Sequence, residues 1–221
     1  MNTKIRLLIR RAFIQKDLKV KCKTLIVSLA IVGCGSNTKS KKGNESNNSE
    51  KPVFESFGLT GAWKRPCLDF EVSSKQKSRQ FSATSDIEIQ TLYANKGCSA
   101  GDEAVVYKIE YANARAINPT DLEGYTKIRS ETVTSTATVY ISYIADEFNR
   151  SAVFGYTDWK PNVERDISGR KFKETSTAES SNGSLVYMHF LKDGDYLSFA
   201  TYKDQTALKE TDNSNRYIRV K

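Results

Sequence analysis

The chain has 221 residues, 27% of them charged, and a formal net charge of +8 at pH 7. Residues 1–33 hold eight basic residues against Asp17 alone, a net of +7, whereas 53–221 carry 22 basic and 23 acidic residues scattered singly. That scatter excludes the clustered basic face that phosphate binding requires, so no nucleic-acid partner is expected.

In chain order, the first element is an export signal. Lys19, Lys21 and Lys23 precede the apolar run 24–32, and Gly33 and Cys34 follow it. A basic segment, a short apolar segment and a small residue is the order of a signal peptide. The run of about nine residues falls well short of the roughly 20 that a spanning helix needs. The stretch before it is long and contains Phe13-Ile14-Gln15 and Asp17, unlike the compact basic start of such a signal. Initiation at Leu18, or at Val20, places the lysines directly against the apolar run, so residues 1–17 are expected to precede the true start.

Residues 35–52 contain no apolar side chain except Pro52. Such a segment cannot offset its ordering entropy. The span 34–52 is therefore expected to be a disordered tether with an r.m.s. reach of roughly 24 Å.

From Val53 the chain offers 169 residues, room for one hydrophobic core. Its short runs of Val, Ile, Thr, Tyr and Phe, broken by Gly, Asn, Asp and Ser, are the signature of strands. Ile87–Tyr93 and Val105–Tyr111 read as strands, with Glu88 and Glu110 on outward faces. In Thr132–Ile141 the residues Val133, Ser135, Ala137, Val139 and Ile141 are expected to face inward and the threonines outward. Ile141, Ile144, Ala145 and Phe148 then fall at helical spacing, and Asn149 ends a short amphipathic helix. Leu185–Leu191 is expected to pair with Tyr196–Tyr202 through a tight turn at Asp193-Gly194. Arg216–Val220 is the last strand. Thr- and Lys-dotted faces argue against a membrane-spanning barrel.

Cys67 and Cys98 form an even pair in an exported body, where oxidation to a disulfide is expected. Two cysteines and the lone His189 are too few for a metal site, and no cofactor is expected. A Ser-His-Asp hydrolase has only His189 to use, within an apolar strand, and no G-x-S-x-G elbow. P-loop, H-E-x-x-H and dinucleotide fingerprints are missing too. The acidic pairs Asp102/Glu103 and Asp193/Asp195 sit where turns favour them. The body is read as non-enzymatic.

Two motifs carry resemblances. Ile31-Val32-Gly33-Cys34 resembles the lipobox of bacterial lipoproteins. The resemblance implies a diacylglyceryl thioether on Cys34, cleavage before it, and palmitate-type acylation of the new amino group. Gly35, where Asp often retains lipoproteins at the inner membrane, favours the outer membrane. Gly58-Leu59-Thr60-Gly61-Ala62-Trp63 resembles the opening of lipocalin-like domains, in which Gly61 and Trp63 form a G-x-W motif closing the barrel base. An arginine near the end of the barrel then stacks on the tryptophan, a part for Arg216 or Arg219. Read from the residues alone, Trp63 is an ordinary core tryptophan. Phe148-Asn149 and Gly155–Trp159 extend the likeness to lipoproteins of the lipocalin-like kind.

These resemblances imply an all-β fold: a single antiparallel up-and-down barrel with one short helix, over 53–221. The implied function is that of a lipid-anchored envelope protein whose barrel binds a small apolar ligand or serves a structural role. The alternative is a protein-interaction module on a filled barrel. Whether the tyrosines and phenylalanines fill the interior or line a cavity is open at this level.

Overall fold

A computed structural model describes residues 52–117, 123–172, 178–203, 206–208 and 216–221. The leader, Cys34 and the tether up to Lys51 lie outside the described residues. In chain order the elements are α1 (Val53–Ser56), β1 (Gly61–Lys64), β2 (Leu68–Asp69), β3 (Ser74–Phe81), β4 (Asp86–Tyr93), β5 (Glu103–Ile117), β6 (Thr126–Val139) and α2 (Ser142–Arg150). A short 3-10 turn at Val153–Gly155 leads to β7 (Val163–Asp166), β8 (Leu185–Asp193), β9 (Tyr196–Phe199), β10 (Thr201–Lys203), β11 (Thr206–Leu208) and β12 (Tyr217–Arg219).

Eight of these strands close a ring in the order β1-β3-β4-β5-β6-β8-β9-β12, with β12 returning to β1, and every pairing is antiparallel. Ring order follows chain order, so the barrel is up-and-down, and closure leaves these strands no free edge.

The ring is complete only over part of its height. Thr126–Glu131 of β6 pair with β8, but Thr136–Val139 of the same strand pair with β7. On the other side, β1 pairs with Ser78–Phe81 of β3, and β2 takes over at Ser74 and Lys75. The lower storey is thus a closed barrel and the upper storey an open sheet running from β2 to β7. Each storey has its own core. Phe54, Leu59, Trp63, Phe81, Ile128, Phe190, Leu197 and Tyr217 plug the base. Above, the buried stripe Ile144, Ala145 and Phe148 of α2 packs with Phe154, Trp159 and Ile167 on Val105, Ala137 and Val139. The Asn149 amide, placed by the last turn of α2, donates to the Trp159 carbonyl at 3.0 Å.

Three details differ from the sequence expectation. The β5–β6 register steps from Glu110↔Thr134 to Tyr111↔Thr132, leaving Val133 as the extra residue of a bulge. One extra residue inverts the side-chain alternation, so Val133 is 45% exposed and Thr132 1%. The β8–β9 turn is Gly194-Asp195, one residue later than expected: Asp193 pairs with Tyr196, and Gly194 takes the positive φ of 58°. The strand after it ends at Phe199, and Thr201–Lys203 pair instead with β11. The disulfide joins Cys67 to Cys98 with Cα atoms 5.8 Å apart.

Candidate functional site

Directly paired residues of neighbouring strands share a face, so the register identifies the inner wall. At one level Phe81, Asp86, Tyr111 and Thr132 follow one another from β3 to β6, and one rung up stand Arg79, Glu88, Ile109 and Ser135. Glu88 therefore faces inward, not outward as its place between Ile87 and Ile89 suggested; those two isoleucines face out. Glu110 does face outward, beside Lys108.

Arg79 crosses the interior as a bar. Its guanidinium forms ion pairs with Asp86 and Glu88. It lies 4.3 Å above the Phe199 ring of β9, and Nη1 stands 3.2 Å from Met188 Sδ of β8. The base below is sealed: Trp63, Leu59, Phe54 and Leu197 are fully buried. Arg219 completes that seal, its guanidinium 4.7 Å from the Trp63 ring centroid and its Nη2 donating to the Gly58 carbonyl. Of the two arginines that the resemblance offered, Arg219 takes this place rather than Arg216, because Arg219 is the residue directly paired with Trp63. Trp63 Nε1–H donates to the Leu59 carbonyl at 2.7 Å, so the residue is at once a core tryptophan and a closing one.

The electrostatics of the bar follow from its depth. Burial opposes the Arg79 charge, but Asp86 and Glu88 more than compensate and hold the guanidinium more basic than usual. Burial raises the Asp86 carboxyl to about 6, against the pull of Arg79 and with the push of Glu88. Glu88 is affected in the opposite sense: burial works against its charge, yet Arg79 and then Lys77, whose Nζ is 3.3 Å away, lower it to about 2. The Tyr111, Tyr107 and Tyr217 hydroxyls are raised chiefly by burial.

Among the described residues, several buried polar atoms around this bar have no hydrogen-bond partner: Arg79 Nε, Asp86 Oδ1, Ser130 Oγ, Thr132 Oγ1 and Ser135 Oγ. Burial is not complete at every inward-facing position near the bar. Lys77, Gln90, Tyr107, Ile109 and Val186 share the inner face with buried neighbours yet remain partly open. Among the described residues, β1, β9 and β12 are shorter than the strands they share the ring with, and β2 and β7 take their places beside β3 and β6 higher up. The Cys67–Cys98 bridge stands next to the β2–β3 pairing, and Cys98 N–H donates to Ser74 Oγ at 3.0 Å.

His189 is paired with Lys127 on the outer face of β8 and is buried there, away from the bar. Glu103 Oε2 accepts from Gly101 N–H at 2.8 Å, and Asp195 pairs with Lys221 at 3.5 Å, so both serve local turn structure. No family model and no curated protein matches this chain.

The sequence reading missed the bar itself. Its signal was present: Lys75, Lys77 and Arg79 alternate on one side of the four-residue turn 82–85, and Asp86, Glu88 and Gln90 alternate on the other. Folding that hairpin puts cation opposite carboxylate on a single face.

Proposed function

We propose that this chain is an envelope lipoprotein, anchored through Cys34, whose barrel takes up a small ligand in the cleft above Arg79. The observation that carries this reading is the set of partly buried inward residues, Lys77, Gln90, Tyr107, Ile109 and Val186, in a barrel whose base is sealed by Trp63, Leu59, Phe54 and Leu197. Ligand sites are usually concave and largely apolar, with a few convergent polar groups. Ile109, Val186, Tyr107 and Phe199 provide the apolar wall. Arg79, Glu88, Lys77 and Gln90 make the floor and one side polar, which favours an amphipathic ligand over the purely apolar one expected from the sequence. The tether keeps the domain within reach of the membrane, where such molecules partition. Disulfide formation fits an oxidising compartment outside the cytoplasm, with the outer membrane favoured.

The test is native mass spectrometry with lipid extraction on protein isolated from its own envelope. A stoichiometric small molecule released on denaturation is expected. Protein that is ligand-free on isolation and takes up nothing from envelope lipid extract refutes the reading. A protein-interaction module is the second reading, favoured by the outward apolar side chains Tyr196 and Ile218, which are direct cross-strand partners and about half exposed.

A further inference from the structure

We infer that an outer face of the barrel, beside its sealed base, rests on the lipid surface to which the chain is anchored, with Tyr196, Ile218 and Val220 entering the headgroup region. The inference rests on the reading of Cys34 as a lipid anchor and concerns how the anchored domain lies on its membrane.

The register defines the face. β9, β12 and β1 follow one another in the ring, and Tyr196, Ile218 and Lys64 are direct cross-strand partners across them. Trp63, Leu197 and Tyr217 fill the interior, so the residues next to them in the chain point out. Tyr196, Ile218 and Val220 are each nearly half exposed. Val220 stands one step nearer the base, where its N–H donates to the Ala62 carbonyl at 2.9 Å. Farther round the ring, outward Ile87 and Ile89 of β4 pair with Gln80 and Ser78 of β3, which are themselves the partners of Ala62 and Lys64. A strip rich in apolar side chains thus runs round the outside of the barrel near its base, with Lys64 inside it. Such a composition suits a membrane interface, where tyrosine sits at headgroup depth and lysine reaches the phosphates along its own apolar stem.

The place where the chain enters the barrel selects a membrane as the occupant. The described residues begin at Pro52, and Phe54 N–H donates to the Ala83 carbonyl at 3.1 Å, in the turn that follows Gln80 and Phe81 at the base. The chain then passes beneath the base to Gly61, with the Gly58 carbonyl held by Arg219. The segment that carries Cys34 therefore joins the barrel at the end where the strip lies. A tether of residues 35–52 holds that end within roughly 24 Å of the anchored residue. Contact with the membrane is then intramolecular in effect, and a few side chains suffice for it. A stable protein interface engages roughly 20–30 residues a side, more than this strip offers. Carboxylates also stand at its rim, Asp193 opposite Tyr196 and Asp195 beside Lys221. Insertion of apolar side chains, rather than attraction to anionic lipid, is what the strip provides.

The test reads depth in the bilayer. Variants of the full lipoprotein are isolated from their own envelope and reconstituted into vesicles of phosphatidylethanolamine and phosphatidylglycerol, with or without phosphatidylcholine brominated high in its acyl chains. The native Trp63 and Trp159 are buried and give a common background. Ile218→Trp is expected to shift its emission to the blue on reconstitution and to lose intensity in the brominated vesicles. Tyr143→Trp, on α2 in the upper storey, is expected to do neither. A reporter at Tyr196→Trp loses its quenching when Ile218→Ser and Val220→Ser are added, because removing two apolar side chains of this size lowers the ratio of docked to undocked domain roughly 10-fold. Melting temperatures of all variants in detergent stay near wild type, since the positions are solvent-facing. Protein that floats with the vesicles while Ile218→Trp is quenched no more than Tyr143→Trp overturns the inference and leaves the anchor standing. A blue shift without quenching overturns it too, since a second copy or a partner protein then covers the strip. Protein that does not float removes the anchor reading and the inference with it.

Discussion

Replacing Arg79 by methionine isolates what the bar contributes. The guanidinium is 7% exposed and Asp86 0%, so the substitution leaves two inward carboxylates without their shared cation. Removing one partner of a buried ion pair costs about 3–5 kcal/mol. Proton uptake sets an upper limit on that cost, at about 1.4 kcal/mol per unit between the pH and the carboxyl pKa. Asp86 already sits at about 6 and is neutralised cheaply. Glu88 is held at about 2 by Arg79 and Lys77, and it loses the larger part of that support. In the variant both carboxyls titrate above their unfolded values. Its stability is therefore greatest below about pH 4 and is lost as pH rises through the raised values, a loss that wild-type Glu88 does not suffer. The expected penalty is about 3–5 kcal/mol at pH 7.5 and about 1–2 kcal/mol at pH 4.5. Equilibrium urea unfolding followed by the fluorescence of Trp63 and Trp159 at the two pH values measures it. A penalty below about 1 kcal/mol at pH 7.5, or an equal penalty at both, would falsify the description of Arg79 as the cation that sustains two buried carboxylates.

Asp86→Asn mimics the protonated acid at every pH. Because the folded-state value is raised from 3.8 to about 6, wild type loses stability relative to this variant as pH climbs from about 4 to about 6, by up to about 3 kcal/mol; parallel unfolding curves across that window, without crossing or convergence, contradict the shift. Cys67 and Cys98 are separated by 31 residues, so reduction is expected to remove about 3–4 kcal/mol and lower the melting temperature. Non-reducing peptide mapping that finds free thiols in protein from its own envelope contradicts the bridge. Cys34→Ser is expected to abolish incorporation of labelled fatty acid and release an unprocessed or soluble form; a variant that remains acylated and membrane-bound rules out the lipobox.

The sequence by itself determined the class of fold, most strand positions and the pairing of Cys67 with Cys98, because each depends on local signals: alternation, turn residues, and an even cysteine pair in the body of the chain. It also determined the helix at Ser142–Arg150, whose apolar spacing needs no knowledge of the surface it covers. Register and facing were decided by the tertiary structure. Ile87-Glu88-Ile89 reads locally as apolar-in and charged-out, yet closure of the barrel turns Glu88 inward, since Arg79 on the paired strand is the cation that can compensate it there. The same alternation at Val133 was inverted by one extra residue, which no local preference marks. The choice of Arg219 over Arg216 also needed the β1–β12 register. The change from a closed lower storey to an open upper sheet has no sequence signal at all. It arises where three short strands end before their neighbours do, and strand length relative to a partner is a property of the closed sheet, not of any one segment.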